Sequence, residues 1–156
     1  MPMDGYPATV VEILDDRMTF RPAALRAMRE FRASHPWRGD NDQRKAKFQE
    51  LVVALAEAYQ IAAPELLFDR LDGSSSGASS YDPSRHRIVL RGRLSVITLL
   101  HEFAHARGMS ERAAVRWSVN LFRRVFPRSF SRLVHRGHLL LRAEDVANEV
   151  CPDPRS

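Results

Sequence analysis

The residues best suited to chemistry are two histidines four positions apart, with a glutamate directly after the first. Positions i and i+4 lie on one face of a helix, so His101 and His105 can present their imidazoles to one metal ion. Glu102 lies one residue further round the helix, outside the ligand positions but close enough to accept a proton from a water bound to that ion. The spacing therefore predicts a zinc ion and a hydrolytic site with Glu102 as general base.

The sequence around this pair is apolar, as a buried helix requires. The apolar positions are Val96, Leu99, Leu100 and Phe103. They would bury one side of the helix and hold the two rings in a dry cleft. The alternative is a buried histidine pair that only packs and forms hydrogen bonds.

A catalytic zinc ion takes three protein ligands and leaves a fourth position open. Glu111 is the first choice for the third ligand, because Gly108 can adopt a positive φ that turns the chain and lets the next helix begin at Glu111. On that helix Glu111 shares a stripe with Ala114 and Leu121, and a carboxylate directed inward needs a cation. The alternative is that Glu111 only stabilises the positive end of its helix dipole.

Two weaker candidates complete the predicted site. His138 follows a helix stop at Gly137 and leads into an apolar run, so it is the rival third ligand. If His138 does not bind the metal, it or Tyr81 could donate a hydrogen bond to the oxyanion of a tetrahedral intermediate. Structural roles are assigned to His35, Trp37 and His86.

Charge is distributed unevenly along the chain. The net charge is +5, yet residues 85–136 contain 12 arginines and two acids, which are Glu102 and Glu111. A segment that has almost no carboxylates keeps two of them beside the histidine pair, where a metal would need them. An arginine-rich surface is usually just solvated, and the alternative is contact with nucleic acid through this segment.

Length and composition limit the class of protein. A chain of 156 residues that is 44% hydrophobic fits one domain with a real core. No apolar stretch approaches the roughly 20 residues of a membrane span, and residues 1–16 do not resemble a secretory signal, so a cytoplasmic protein without membrane contact is expected. Cys151 is the only cysteine, which excludes an internal disulfide and a zinc site built from several thiolates.

The periodicity of apolar residues and the positions of caps and breakers predict a coarse order of elements. The predicted helices are Ala23–Ser34, Asp42–Gln60, Val96–Arg107, Glu111–Val125, Arg128–Arg136 and a terminal Ala143–Val150. The predicted strands are Thr9–Leu14, Leu66–Leu71 and His86–Arg91, with a Gly/Ser loop over Asp72–Ser80. We therefore expect one domain, 1–156, with a helical part to residue 63, a metal-site core over 64–127 and a C-terminal helical part over 128–156.

From Ser80 to Pro127 the sequence resembles the His-Glu-x-x-His zincins, and it is most similar to the small IrrE-like metallopeptidases. The similarity includes the strand before the histidine helix, the helix itself and the run Glu111-Arg-Ala-Ala114, followed by Trp117-Ser118, Leu121-Phe122 and Pro127. The glutamate of the corresponding Glu-x-x-Ala-Asn run in that family is a zinc ligand. The resemblance therefore implies the same role for Glu111, although Val115 replaces the asparagine and the gap from His105 is shorter than usual.

Other zincins share parts of this pattern. The short gap with Gly108 resembles the His-x-x-Gly-x-x-ligand arrangement of metzincins, and SprT-like proteins have the same helix and would suit the basic charge. Peptide deformylase does not fit, because its motif cysteine lies upstream of the helix and Cys151 does not.

Together these observations predict an α+β, zincin-like fold, in which N-terminal helices pack on a small antiparallel sheet above the histidine helix. The expected reaction is zinc-dependent hydrolysis of peptide bonds in a polypeptide substrate, which the strand His86–Arg91 would align by β-addition. Two alternatives stay open: a DNA-associated or regulatory protein in which zinc is only structural, and an inert interaction module of peptidase fold. Substrate identity and oligomeric state are left open.

Overall fold

The structure of the chain, a computed structural model, describes residues 12–71 and 77–135. Within these residues, the helical positions Glu12 and Ile13 are followed by two helices, three strands and three further helices. The helices are α1 (Pro22–Ala33), α2 (Asn41–Ala58), α3 (Val96–Ala106), α4 (Glu111–Val125) and α5 (Pro127–His135). The strands are β1 (Glu65–Asp69), β2 (Ser80–Asp82) and β3 (Arg87–Arg91). The mixed α+β class is therefore confirmed.

The five helices predicted within the described residues are confirmed close to their predicted bounds. The strand predicted over Thr9–Leu14 is wrong where it can be compared, since Glu12 and Ile13 are helical. Strand β2 was not predicted, because three residues are too few to show an alternating pattern. The predicted helix Ala143–Val150 lies outside the described residues.

Side-chain caps fix where the helices begin. Asp40 and Gln43 form a reciprocal capping box at the start of α2. The Ser95 hydroxyl accepts from the Thr98 backbone N–H at the start of α3, and the Ser110 hydroxyl accepts from the Ala113 N–H at the start of α4. The caps on α3 and α4 fix the residues at which these two helices begin, and the two helices carry the predicted metal ligands.

The sheet is mixed rather than antiparallel as predicted. Its order is β1-β3-β2, with β3 parallel to β1 and antiparallel to β2. The chain passes from β1 to the far edge of the sheet, forms β2 and returns through a tight turn into β3. As a consequence β3 is the central strand with a partner on each side, so the predicted β-addition of a substrate to His86–Arg91 is wrong. Among the residues that the structure describes, β1 and β2 form the two edges of the sheet.

Helix α3 lies at the centre of the molecule. It packs against α4 on one side and against β2 and β3 on the other, and it is apolar enough to bury Leu99, Leu100 and Phe103 completely. The expected packing of the N-terminal helices on the sheet holds for α2, which contacts β1, whereas α1 packs on α2 and α4. In the described part of the chain, no helix is both long and apolar enough to cross a membrane.

Ion pairs connect the basic segment to the acidic first half of the chain. They include Arg87–Glu65, Arg91–Asp69, Arg116–Asp15 and Arg123–Asp16. Each pair is at least partly exposed and contributes little to stability by itself. Their combined effect is to neutralise several arginines that the sequence places in one block.

A buried asparagine attaches the segment before α1 to α4. Asn120 is 4% exposed, its Oδ1 accepts from the Asp15 N–H at 2.8 Å, and its Nδ2 donates to Ile13 O at 3.1 Å and to Arg116 O at 2.7 Å. The backbone of Ile13 and Asp15 would lose its partners if this amide were removed. Buried polar groups without partners are costly.

Replacement of Asn120 by alanine should therefore lower the free energy of unfolding by roughly 1–3 kcal/mol. Ser118→Ala is the matched control, because Ser118 is also buried on α4 but its hydroxyl bonds only locally, to Val115 O. We expect the control to cost less than about 1 kcal/mol in urea unfolding followed by circular dichroism. Equal losses in the two variants would show that Asn120 does not anchor this segment.

Candidate metal centre

Three side chains with potential ligand atoms meet where α3 ends and α4 begins. His101 Nε2 lies 3.2 Å from His105 Nε2 and 3.0 Å from Glu111 Oε1, and His105 Nε2 lies 2.8 Å from Glu111 Oε2. Two ligands bound to a tetrahedral zinc ion at 2.0–2.1 Å stand about 3.3 Å apart. The spacing of the three side chains is therefore close to that of a zinc site.

A tight turn brings Glu111 back toward the histidines. The Met109 N–H donates to Ala104 O and the Gly108 N–H donates to His105 O, which is a Schellman motif at the end of α3. Gly108 has φ +84°, a left-handed conformation that favours glycine. The predicted role of Gly108 is confirmed, and the turn places Glu111 in the first turn of α4 opposite His101 and His105.

The same turn orients the His105 ring. His105 Nδ1 lies 3.0 Å from the backbone oxygen of Met109, and a carbonyl can only accept, so Nδ1 carries the proton and donates. In a neutral ring, His105 Nε2 then has only its lone pair, yet it points at a carboxylate oxygen of Glu111. Two acceptors at 2.8 Å repel each other unless a cation lies between them.

The electrostatics of the cluster agree with this requirement. Burial by itself raises the pKa of the Glu111 carboxyl, but hydrogen bonds from His101 and His105 and the charge of both rings lower it to about 2. Burial by itself lowers the pKa of His105, but the hydrogen bond to Glu111 and the charges of Glu102 and Glu111 raise it overall. The cluster thus stabilises positive charge, which either a proton or a metal ion can supply.

Glu102 lies beside the cluster without belonging to it. The group that could hold a metal among the described residues consists of His101, His105 and Glu111. Glu102 is 8% exposed, and burial raises its pKa against the opposing effect of the two histidines. A hydrogen bond from the Tyr81 backbone N–H supports its ionised form. Glu102 is therefore a carboxylate that lies close to the cluster but is not one of its potential ligands.

The hydroxyl of the weaker candidate Tyr81 does not join this cluster. The Tyr81 hydroxyl donates to His86 Nδ1 at 2.7 Å, since His86 Nε2 lies 2.7 Å from Ala62 O and must donate there. Tyr81 therefore takes part in the site through its backbone rather than through its hydroxyl. His86 was predicted to begin a strand, but it has φ 49° and precedes β3, where it links Tyr81 to Ala62. His138 lies outside the described residues.

Sequence reasoning missed the two backbone groups at the site. They are the Met109 carbonyl that orients His105 and the Tyr81 N–H that faces Glu102. The first could have been inferred from Gly108, because a glycine after a helix often marks a Schellman turn. The second had no signal, because it depends on the unpredicted strand β2.

Comparison of the chain with protein families, with curated proteins and with solved structures finds no significant match.

Replacement of Glu111 by glutamine should weaken zinc binding strongly, because a neutral amide is a poor ligand and the two imidazoles alone hold the ion loosely. Zinc at about 100 times its Kd should stabilise the wild-type chain by about 2.7 kcal/mol, and the variant far less. Zinc content after dialysis and thermal melts with and without zinc measure this. Glu50→Gln, on the exposed surface of α2, is the control and should behave as wild type. If Glu111→Gln keeps its zinc while His138→Ala loses it, the third ligand is His138.

Without metal, a proton should supply the positive charge between His105 and Glu111. Because the pKa of Glu111 is lowered from 4.5, its contribution to stability is present above that value and is lost as the pH falls toward 2. Because the pKa of His105 is raised from 6.5, its contribution is present below that value and is lost at higher pH. The stability difference between metal-free wild type and Glu111→Gln should therefore be largest between pH 4.5 and pH 6.5, the ordinary pKa values of the two groups. A stability difference that stays constant between about pH 3 and pH 9 would contradict this charge pairing.

Proposed function

We propose that this chain is a zinc-dependent peptidase that hydrolyses peptide bonds with Glu102 as general base. The observation that carries the proposal is the pair formed by His105 and Glu111. His105 is fixed by Met109 so that its free lone pair points at the Glu111 carboxylate, an arrangement that a bound cation stabilises. A buried carboxylate without ligand duty, Glu102, lies beside it.

The donor set favours zinc among the common metals. Two imidazole nitrogens and one carboxylate oxygen suit zinc, whereas calcium and magnesium prefer oxygen ligands throughout. A structural zinc site has four protein ligands, and a catalytic site has three and an open position. Within residues 12–71 and 77–135, the cluster has three. The set therefore fits a catalytic site better than a structural clip.

Zinc in such a site polarises the substrate carbonyl and lowers the pKa of water to about 7. The side chain that accepts the proton is Glu102, whose pKa is raised by burial and thereby moved toward the range in which a general base works well. The hydrogen bond from the Tyr81 N–H orients the Glu102 carboxylate, and His101, His105 and Glu111 would hold the zinc ion. After bond cleavage Glu102 passes its proton to the leaving amine.

An extended polypeptide is the proposed substrate, aligned on β2 instead of β3. Strand β2 is at the edge of the sheet, packs against α3 and reaches Glu102 through the Tyr81 amide. Edge strands can bind extended peptides by β-addition. The substrate would then pass along β2 directly over the helix that carries both histidines.

The proposed family is the His-Glu-x-x-His zincins, with the IrrE-like metallopeptidases as the nearest group. This rests on the resemblance described above, in which Glu111 occupies the position of the ligand glutamate. The approach of Glu111 to His101 and His105 supports that correspondence. The shorter gap after His105 is spanned by the Schellman turn at Gly108.

Glu102→Gln separates catalysis from metal binding. The variant should retain about one zinc per chain, because Glu102 is not a ligand, and should cleave a fluorescence-quenched unfolded protein at least about 100-fold more slowly than wild type. Glu50→Gln is the matched control on the exposed face of α2 and should keep full activity. A chelator should remove activity from the wild type, and zinc should restore it.

Two outcomes would contradict the proposal. Zinc-loaded Glu102→Gln that cleaves normally would mean that the general base is another group. Zinc-loaded wild type without turnover on unfolded proteins would favour an inert binding module of this fold.

A further inference from the structure

Some arginines of the described residues take no part in the ion pairs with the acidic half, and a group of them lines two adjoining clefts. Four exposed arginines there come from three separate segments of the chain. They are Arg38, Arg93, Arg128 and Arg132. Among the described carboxylates, none pairs with any of the four, in contrast to Arg87, Arg91, Arg116 and Arg123. Within residues 12–71 and 77–135, these four cations therefore have no carboxylate partner.

The four arginines line two adjoining clefts. One cleft has a volume of about 670 Å³ and includes Arg93 and Arg132, and the other has about 540 Å³ and includes Arg38, Arg128 and Arg132. Both clefts share Arg132 and Trp37. Arg128 and Arg132 lie one turn apart on the same face of α5. Cationic groups therefore stand on both sides of one tryptophan.

Trp37 was predicted to be structural, yet 45% of it is exposed, whereas the other tryptophan, Trp117, is 6% exposed. The Trp37 ring packs against the Phe126 ring in a T-shaped arrangement, with the centroids 5.3 Å apart and the planes at 75°. This contact holds the indole in one orientation without covering it. Trp37 is thus a fixed aromatic surface beside arginines that have no carboxylate partner in the described part of the chain.

We propose that this surface, formed by Trp37, Arg38, Arg93, Arg128 and Arg132, binds single-stranded nucleic acid. Arginine guanidinium groups bind phosphate oxygens well, and an exposed indole stacks on any base. A strand that crosses Trp37 would place phosphates in both clefts and one base on the ring. An acidic polypeptide would also satisfy the arginines, but it would leave the indole without a partner.

The surface and the candidate metal centre have no residue in common. Its first cleft is lined by the first turn of α3, from Ser95 to Thr98, and the potential metal ligands of α3 follow in later turns. No residue of the surface belongs to the cluster of His101, His105 and Glu111. Binding can therefore be tested with metal-free or metal-loaded protein, and its failure would not affect the peptidase proposal.

Binding of a fluorescein-labelled oligothymidine to the full chain, followed by fluorescence anisotropy, tests the proposal. Affinity should fall by a factor of ten or more between about 50 and 200 mM salt. Arg128→Gln combined with Arg132→Gln should weaken binding at least about tenfold. Arg17→Gln combined with Arg85→Gln removes the same charge from exposed positions outside both clefts and should weaken binding by less than about threefold.

Stacking is tested separately with two substitutions of Trp37. Trp37→Leu keeps an apolar contact with Phe126 but cannot stack, and it should weaken binding at least about fivefold, whereas Trp37→Phe should bind more tightly than Trp37→Leu. The oligonucleotide should quench the tryptophan fluorescence of the wild type much more than that of Trp37→Phe. Thermal melts of all variants report whether they fold.

Three results would overturn the proposal. One is absence of binding at low salt, and another is equal affinity of the cleft variant and its charge-matched control. The third is equal binding of an abasic strand or of polyglutamate of the same charge, which would assign the surface to polyanions in general or to an acidic protein partner.

Discussion

A carboxylate and an imidazole lone pair cannot face each other at 2.8 Å in a half-buried cleft without positive charge between them. The distance between His105 Nε2 and Glu111 imposes this constraint, and the hydrogen bond from His105 Nδ1 to Met109 removes the simplest way to relieve it, which is a change of tautomer. The neighbouring structure serves the same arrangement. Gly108 permits the turn that carries the Met109 carbonyl, and the Ser110 cap starts the helix on which Glu111 lies.

The core holds this arrangement in place. Helix α3 lies between α4 and the sheet, and its apolar side is buried by residues such as Phe103, so the faces that carry His101 and His105 cannot rotate away from α4. Burial has a second effect, because it raises the pKa of Glu102 while leaving that carboxylate outside the ligand cluster. The packing thus places Glu111 within the cluster and Glu102 beside it.

The same packing determines which charged side chains form ion pairs. Acidic residues near the start of the described chain pair with arginines of α4, as Asp15 does with Arg116, and the carboxylates of β1 pair with arginines of β3. Single pairs of this kind are weak. Their importance lies in which arginines they leave out, since four arginines that have no carboxylate partner among the described residues line the two clefts beside Trp37.

The sequence by itself determined the helices and the histidine pair, because both depend on local spacing. The positions of His101, Glu102 and His105 within one helical turn, the Ser95 cap and the Gly108 turn all act over a few residues. The approach of Glu111 to the histidines could also be predicted, since Glu111 lies only six residues after His105 and one turn separates the two helices.

The order of strands in the sheet could not be predicted in the same way. Only the tertiary structure decided that β3 is central and that β2 forms the edge, because strand order depends on pairing between distant segments and β2 is too short to be recognised. The tertiary structure also decided which arginines pair with a carboxylate. This pairing depends on contacts between residues about a hundred positions apart, such as Asp15 and Arg116. The exposure of Trp37 beside arginines without such a partner depends on tertiary contacts in the same way.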